Sequence, residues 1–373
     1  MNNTLGIIFS DMQDWSMTEL ASHRSVAAIP FGGRYRLIDF PLSNMVNSGM
    51  NKICVITKSN YRSLMEHVGS GKDWDLSRKK GGILIFPPYA MGEGHGLFNG
   101  RLDALKRVLD YITASREKYV VLSDSDMIYN INYKDVIRFH EEKNSDITAV
   151  YTRYPLDKTS SVHKIVYEFD DDGRAADILV YPVIKGTQNV GLNTWVMNKE
   201  FLESLIYDAI AHNYKDFSYD VLASRVHSIR IYGYEYCGFY AHIDSLQSYY
   251  NNSMELLNME VLQNLFYSKT GPIYTKTKDS TPTKYLNHAK VKNSLVASGC
   301  IIEGTVENSI IFRDVKIGKN AVVKNSIIMQ HGTIGENAQL DSIIADTYAL
   351  VNNDRVLLGY SSCPFFIKKH SVV

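Results

Sequence analysis

Short apolar runs alternate along the first 150 residues with stretches whose apolar positions recur at helical spacing. Thr4 to Phe9 reads as a buried first strand, because apolar runs of four to eight residues fit fully buried strands. Leu37, Ile38, Phe40 and Leu42 open an apolar face that continues through Met45, Val46 and Met50, predicting a helix over 40–48, and Lys52 to Thr57 reads as the next strand. A helix between two strands predicts a parallel crossover. Leu102 to Ile112 is periodic and helical, Lys118 to Ser123 is a strand running into Asp124-Ser125-Asp126, Val136 to Lys143 is an amphipathic helix, and Asp146 to Tyr151 is another strand. Residues 162–181 then read as antiparallel strands about the acidic turn Asp170 to Arg174, with further strands at 193–197 and 238–243 and a helix over 245–266.

The pattern changes after that helix. A polar connector from Gly271 to Pro282 leads into VKNSLV at 291–296, VENSII at 306–311, VKNSII at 323–328 and a shortened LDSII at 340–344. Aliphatic residues step by six through Ile311, Ile317 and Val323, then through Ile328, Ile334 and Leu340. Three hexads per copy predict a left-handed parallel β-helix whose coils must stack to bury their apolar sides. An exposed flank of such a solenoid commonly packs on its own globular domain or on a second subunit. The expected class is therefore α/β: a domain of alternating strands and helices over 1–257, a helix and connector over 258–285, and the β-helix over 286–373.

Composition narrows the function. The 373 residues are 45% hydrophobic and 21% charged, with 40 basic residues balancing 40 acidic ones. Such a chain has no global field for nucleic acid or a membrane, so phosphate affinity must come from a local site. Four scattered cysteines, Cys54, Cys237, Cys300 and Cys363, show no metal spacing; three sit in apolar surroundings and read as buried free thiols of a reducing compartment. No apolar run reaches the ~18 residues of a membrane span, and a cytoplasmic location is expected.

Candidate chemistry clusters at a few places. Gly32 and Gly33 with Arg34 and Arg36 form a glycine turn that is either a phosphate site or a structural turn on residue types alone. Asp124 and Asp126 follow a strand, where ligands of open α/β sheets bind and a metal or ribose contact is expected. His331 in the solenoid is a conceivable base for acyl transfer, or a structural corner residue.

The run Pro30-Phe31-Gly32-Gly33-Arg34-Tyr35-Arg36-Leu37-Ile38-Asp39-Phe40-Pro41-Leu42-Ser43-Asn44 resembles the signature of bacterial ADP-glucose pyrophosphorylases, the glucose-1-phosphate adenylyltransferases of glycogen synthesis. The resemblance runs essentially the whole length, and it implies that the first domain is a Rossmann-like nucleotidyltransferase (GT-A-like) domain. It implies nucleotide or sugar-phosphate contacts at Gly32, Gly33, Arg34, Arg36, Gly100 and Lys185, vestigial catalytic positions at Asp126 and Asp103, and Mg²⁺ in the assembled enzyme held by Asp126 with Asp244 as the only rescue partner. Departures fall on the chemistry. Where relatives carry a glycine-rich phosphate loop, this chain has Asp11, Met12, Gln13, Asp14 and Trp15; Val26 replaces a lysine, leaving His23, Arg24 or Arg34 to substitute; His242 replaces a metal-binding aspartate; and Arg101 and Leu102 replace small residues. This resembles the GlgD-type subunits of that family. It implies a regulatory chain with little activity alone, a catalytic partner in a tetramer, and a sugar-phosphate or nucleotide effector. The alternatives are an active nucleotidyltransferase with a rearranged site built on Asp126, Asp244 and Arg34, and a pure sensor that binds without turnover.

Overall fold

The computed structural model describes residues 3–10, 18–88, 98, 100–157 and 164–373. The substituted phosphate loop, Asp11 to Trp15, lies outside the described residues. A nine-stranded sheet carries the first part of the chain: β1 (Thr4–Phe9), β2 (Lys52–Ile56), β3 (Gly82–Phe86), β4 (Tyr119–Asp124), β5 (Ile147–Leu156), β6 (Ile165–Phe169), β7 (Ala175–Val180), β8 (Gly186–Asn198) and β9 (Ile231–Glu235). β1 pairs in parallel with both β2 and β4, and β2 with β3, so the expected crossover through α1 (Asp39–Asn47) is present. β8 runs antiparallel to β4 and β5, and β9 pairs in parallel with β5. The acidic turn closes as expected, Asp170 N–H donating to Arg174 O at 2.9 Å between β6 and β7.

Some elements differ from the sequence pattern. The helix expected over 102–112 is two, α2 (Arg101–Arg107) and Leu109–Thr113, because Val108 leaves helical geometry. The helix expected over 245–266 is likewise α4 (Leu246–Glu255) and α5 (Met259–Phe266). Ser245 and Ser248 form a capping box that starts α4, and the Asn258 side chain accepts from Glu260 N–H at 2.9 Å to start α5. α3 (Tyr133–Glu142) matches its amphipathic pattern. β3, β9 and a helix over Lys199–Ala211 add to the elements that the sequence pattern predicts. The strand expected over 238–243 shrinks to Ala241–His242, paired antiparallel to Met127–Ile128. Cys54 and Cys300 are buried but Cys237 and Cys363 are exposed, so two thiols rather than three are enclosed.

Three five-stranded parallel sheets form the solenoid, with Val291, Val306, Val323, Leu340 and Leu357 in one register. This is the left-handed β-helix that the repeat predicts. Each letter of the repeat has a place. Asn293, Asn308 and Asn325 turn corners at φ of 44°, 46° and 46°, a region Asn tolerates, and their amides stack into a ladder. Serine hydroxyls step up beside them, Ser294 accepting from Ser309 N–H and Ser309 from Ser326 N–H, each at 3.1 Å. Of the paired isoleucines, Ile311 and Ile328 enter the solenoid core, while Ile310 and Ile327 face the sheet domain. There they join Phe31, Phe40, Tyr249 and Leu256 in one core, at about 1.5–3 kcal/mol per fully buried aliphatic side chain. Arg24 crosses the same boundary to grip both Asp346 oxygens, at 2.7 and 2.9 Å. The solenoid thus packs on its own α/β domain. No helix of the described residues is long and apolar enough to cross a membrane.

Candidate functional site

Two charged sites occupy different parts of this frame. The first is acidic and lies beyond β4. The two-residue ladder Met127–Ile128 with Ala241–His242 sets His242 opposite Met127, and Ile243 N–H donates to Asp126 O at 2.9 Å. His242 Nε2 then lies 3.3 Å from Asp126 Oδ2, and its Nδ1 lies 3.5 Å from Asp244 Oδ2. Lys164, at the head of β6, completes the cluster, its ammonium reaching His242 Nδ1 and donating to Asp244 Oδ2 at 3.0 Å. Both Lys164 and His242 are buried. Burial pulls the Lys164 ammonium down in pKa although Asp244 opposes it. Asp244 is held well below the usual carboxylate range, its burial outweighed by His242 and Lys164. Asp126 Oδ1 is buried with no hydrogen-bond partner.

Asp124 is closed off in the same way. Arg101 Nε donates to Asp124 Oδ1 at 3.0 Å, its Nη2 donates to Oδ2, and the guanidinium lies 5.3 Å from the Trp195 ring centre. Burial works against this charge, but the Asp124 carboxylate outweighs it and keeps Arg101 protonated. Gly100 stands before α2 at φ 97°, where a Cβ would meet Lys215 O at 2.9 Å. Asp103 lies on α2, 3.7 Å from Arg107. Lys185 is an exposed loop residue whose carbonyl accepts from Gln188. Among the described residues no group of three or more His, Cys, Asp or Glu is arranged to hold a metal ion.

The second site is basic and lies where the two domains meet. Gly32 and Gly33, at φ 57° and 82°, make the turn of a hairpin between Pro30–Phe31 and Tyr35–Arg36. An L side chain at either is strained, and the turn lies against Leu256, Phe266 and Ala297. Arg34 donates to Tyr35 Oη at 2.7 Å and Arg36 to Ser63 O at 2.7 Å. Both arginines line a cavity of about 270 Å³ with Arg24, Lys276, Lys278, Arg313 and Lys369, seven cations against one carboxylate, Glu66, among the described residues. Gly100, Asp103, Asp126, Lys185 and Asp244 are absent from its lining. The structure therefore separates the two halves of the expected site. Crowding leaves its mark: burial pushes Arg36 down to about 10, and Lys278 and Arg313 are lowered by burial and by neighbouring cations. Arg24, a candidate to replace the missing lysine, is committed to Asp346. His331 sits at a solenoid corner at φ 60° and stacks on Tyr348 at 4.6 Å, which stacks on His370 at 4.9 Å.

A more open groove of about 1230 Å³ runs between Thr152–Tyr154, Tyr250–Glu255 and Leu358–Ser361. Arg153 is the only cation among the described residues lining it, so it offers little to a phosphate.

Comparison with known proteins agrees with this architecture. Residues 17–235 match the family model described as nucleotidyl transferase, and residues 280–361 match a GlmU-like C-terminal hexapeptide model. The glycogen biosynthesis protein GlgD of Bacillus subtilis is 38% identical over 99% of this chain and 96% of its own length. The chain belongs to the nucleotidyl transferase family of glycogen synthesis. GlgD of Geobacillus stearothermophilus is 40% identical over 86% of this chain and 83% of its own. The glucose-1-phosphate adenylyltransferase of Thermosipho africanus is 32% identical over 87% and 78%. Sequence reasoning missed Lys164 in this family member. The available signal was a lysine opening the apolar run Ile165-Val166-Tyr167, a position that a strand buries.

Proposed function

We propose that this chain is a regulatory subunit of glucose-1-phosphate adenylyltransferase, with little or no turnover alone, acting in a hetero-oligomer with a catalytic chain. The observation that carries the reading is the basic cavity at the domain junction. Its walls come from both the α/β domain and the solenoid, so an anion held there bridges the two and biases their packing. Six cations, besides Arg24 with its Asp346 partner, crowd a space of phosphate-ester size, which supports a phosphorylated effector such as a sugar phosphate or nucleotide. The similarity to GlgD proteins over nearly the whole chain supports the same assignment.

Adenylyl transfer consists largely of positioning and of stabilising phosphate charge, and loss of one preorganised donor typically costs ~10²–10³ in rate. Val26 and His242 stand at two such positions. The test is pyrophosphate release from ATP and glucose 1-phosphate with Mg²⁺, by this chain alone and then titrated into the catalytic chain of the same organism. Silence alone, with a saturable change in the partner's turnover or substrate affinity, is expected. Turnover alone at an ordinary enzymatic rate, abolished by Asp126→Ala, establishes the rearranged-site enzyme instead.

A further inference from the structure

A divalent ion in a nucleotidyl transferase sits among carboxylates and lowers the cost of bringing phosphates to them. Here the space between Asp126 and Asp244 is taken by side chains of the chain itself. The His242 ring lies between the two carboxylates, within 3.3 Å of one and 3.5 Å of the other. Lys164 adds a full positive charge beside His242 and Asp244. Magnesium demands near-octahedral oxygen ligands, and an imidazole with an ammonium against it supplies none. We propose that the Lys164 ammonium is a built-in replacement for the divalent ion, so that this chain carries its positive charge at Asp126 and Asp244 permanently and takes up no Mg²⁺ there.

The arrangement answers an electrostatic problem. Asp124 and Asp126 are buried and Asp244 is half-buried next to His242, and buried carboxylates without cations are costly. Arg101 takes Asp124, and Lys164 with His242 takes Asp126 and Asp244. The unpartnered Asp126 Oδ1 is what remains of the open carboxylate face. Apart from that oxygen the cluster is held together by the chain's own side chains, and any ligand entering the strand ends meets a fixed ammonium rather than an exchangeable ion.

The inference deepens the regulatory reading at a second site, yet it fails or stands separately, because its readout is metal binding and not pyrophosphate release. The probe is Mn²⁺, followed by electron paramagnetic resonance on the full chain. The wild-type chain is expected to show no saturable Mn²⁺ binding that Asp126→Asn removes. Finding such binding overturns the proposal. Lys164→Met is expected to gain at least about tenfold in Mn²⁺ affinity by removing one adjacent charge, with the gain lost again on adding Asp126→Asn. A folded Lys164→Met chain with unchanged affinity also overturns it, since a lysine that only braces Asp244 would leave Mn²⁺ unaffected. Lys164→Arg keeps the charge and should gain nothing. Should Lys164→Met fail to fold, the wild-type measurement with and without Asp126→Asn decides.

Discussion

The acidic cluster beyond β4 and the basic cavity at the domain junction treat charge in opposite ways. In the cluster, Asp124 and Asp244 have their cations supplied from within the chain by Arg101 and Lys164, and Asp126 has His242 beside it. In the cavity, six cations besides the Asp346-paired Arg24 face one another across about 270 Å³, with Glu66 the one carboxylate among the described residues lining it, and burial, reinforced by neighbouring cations, lowers the pKa values of Lys278 and Arg313. Charge satisfied by the fold closes a site. Charge left over opens one, because the missing counter-ion must come from outside.

Removing a cation from the closed site has the largest expected effect. Arg101→Met leaves Asp124 buried without its partner, an arrangement that costs about 3–5 kcal/mol. Urea unfolding should record that loss, and an unchanged midpoint would mean that the pair is dispensable. Acid is the next lever. Asp244 titrates lower in the folded chain than its ordinary value, so its contribution is complete above the usual aspartate range and is lost as pH falls toward the depressed value. Stability should decline with falling pH below about 4, and Lys164→Met should flatten that decline. The smallest effect belongs to the open site. Lys278→Ala relieves repulsion, so it should leave unliganded stability within about 1 kcal/mol of wild type. Tripolyphosphate at about 100 times its dissociation constant should stabilise the wild-type chain by about 2.7 kcal/mol, and the variant by less at the same concentration. Equal stabilisation of both would remove Lys278 from the site.

The two sites also differ in how readable they were. Arg34 and Arg36 stand out beside a glycine pair, and Asp126 follows a strand, so the residue types were visible along the chain. Their separation was not, because the hairpin that carries the arginines packs on Leu256, Phe266 and Ala297, contacts made by residues more than 200 positions away. Lys164 was invisible for a related reason. Its partners His242 and Asp244 lie 78 and 80 residues further on, and a two-residue ladder brings them together.

The sequence alone fixes the strongest local patterns, although the helix over Lys199–Ala211 and the breaks at Val108 and after Glu255 escape them. The strand and helix periods gave the parallel crossovers, and the spacing of VKNSLV, VENSII and VKNSII gave the solenoid, because each coil reads its own asparagine corner, serine rung and aliphatic pair. The tertiary structure decided which of the two isoleucines faces the solenoid core and which the sheet domain, which cations the fold consumes, and which it leaves facing a cavity. Those outcomes depend on burial and on partners distant in the chain, where the cost of an unpaired charge is set by the surroundings and not by the residue.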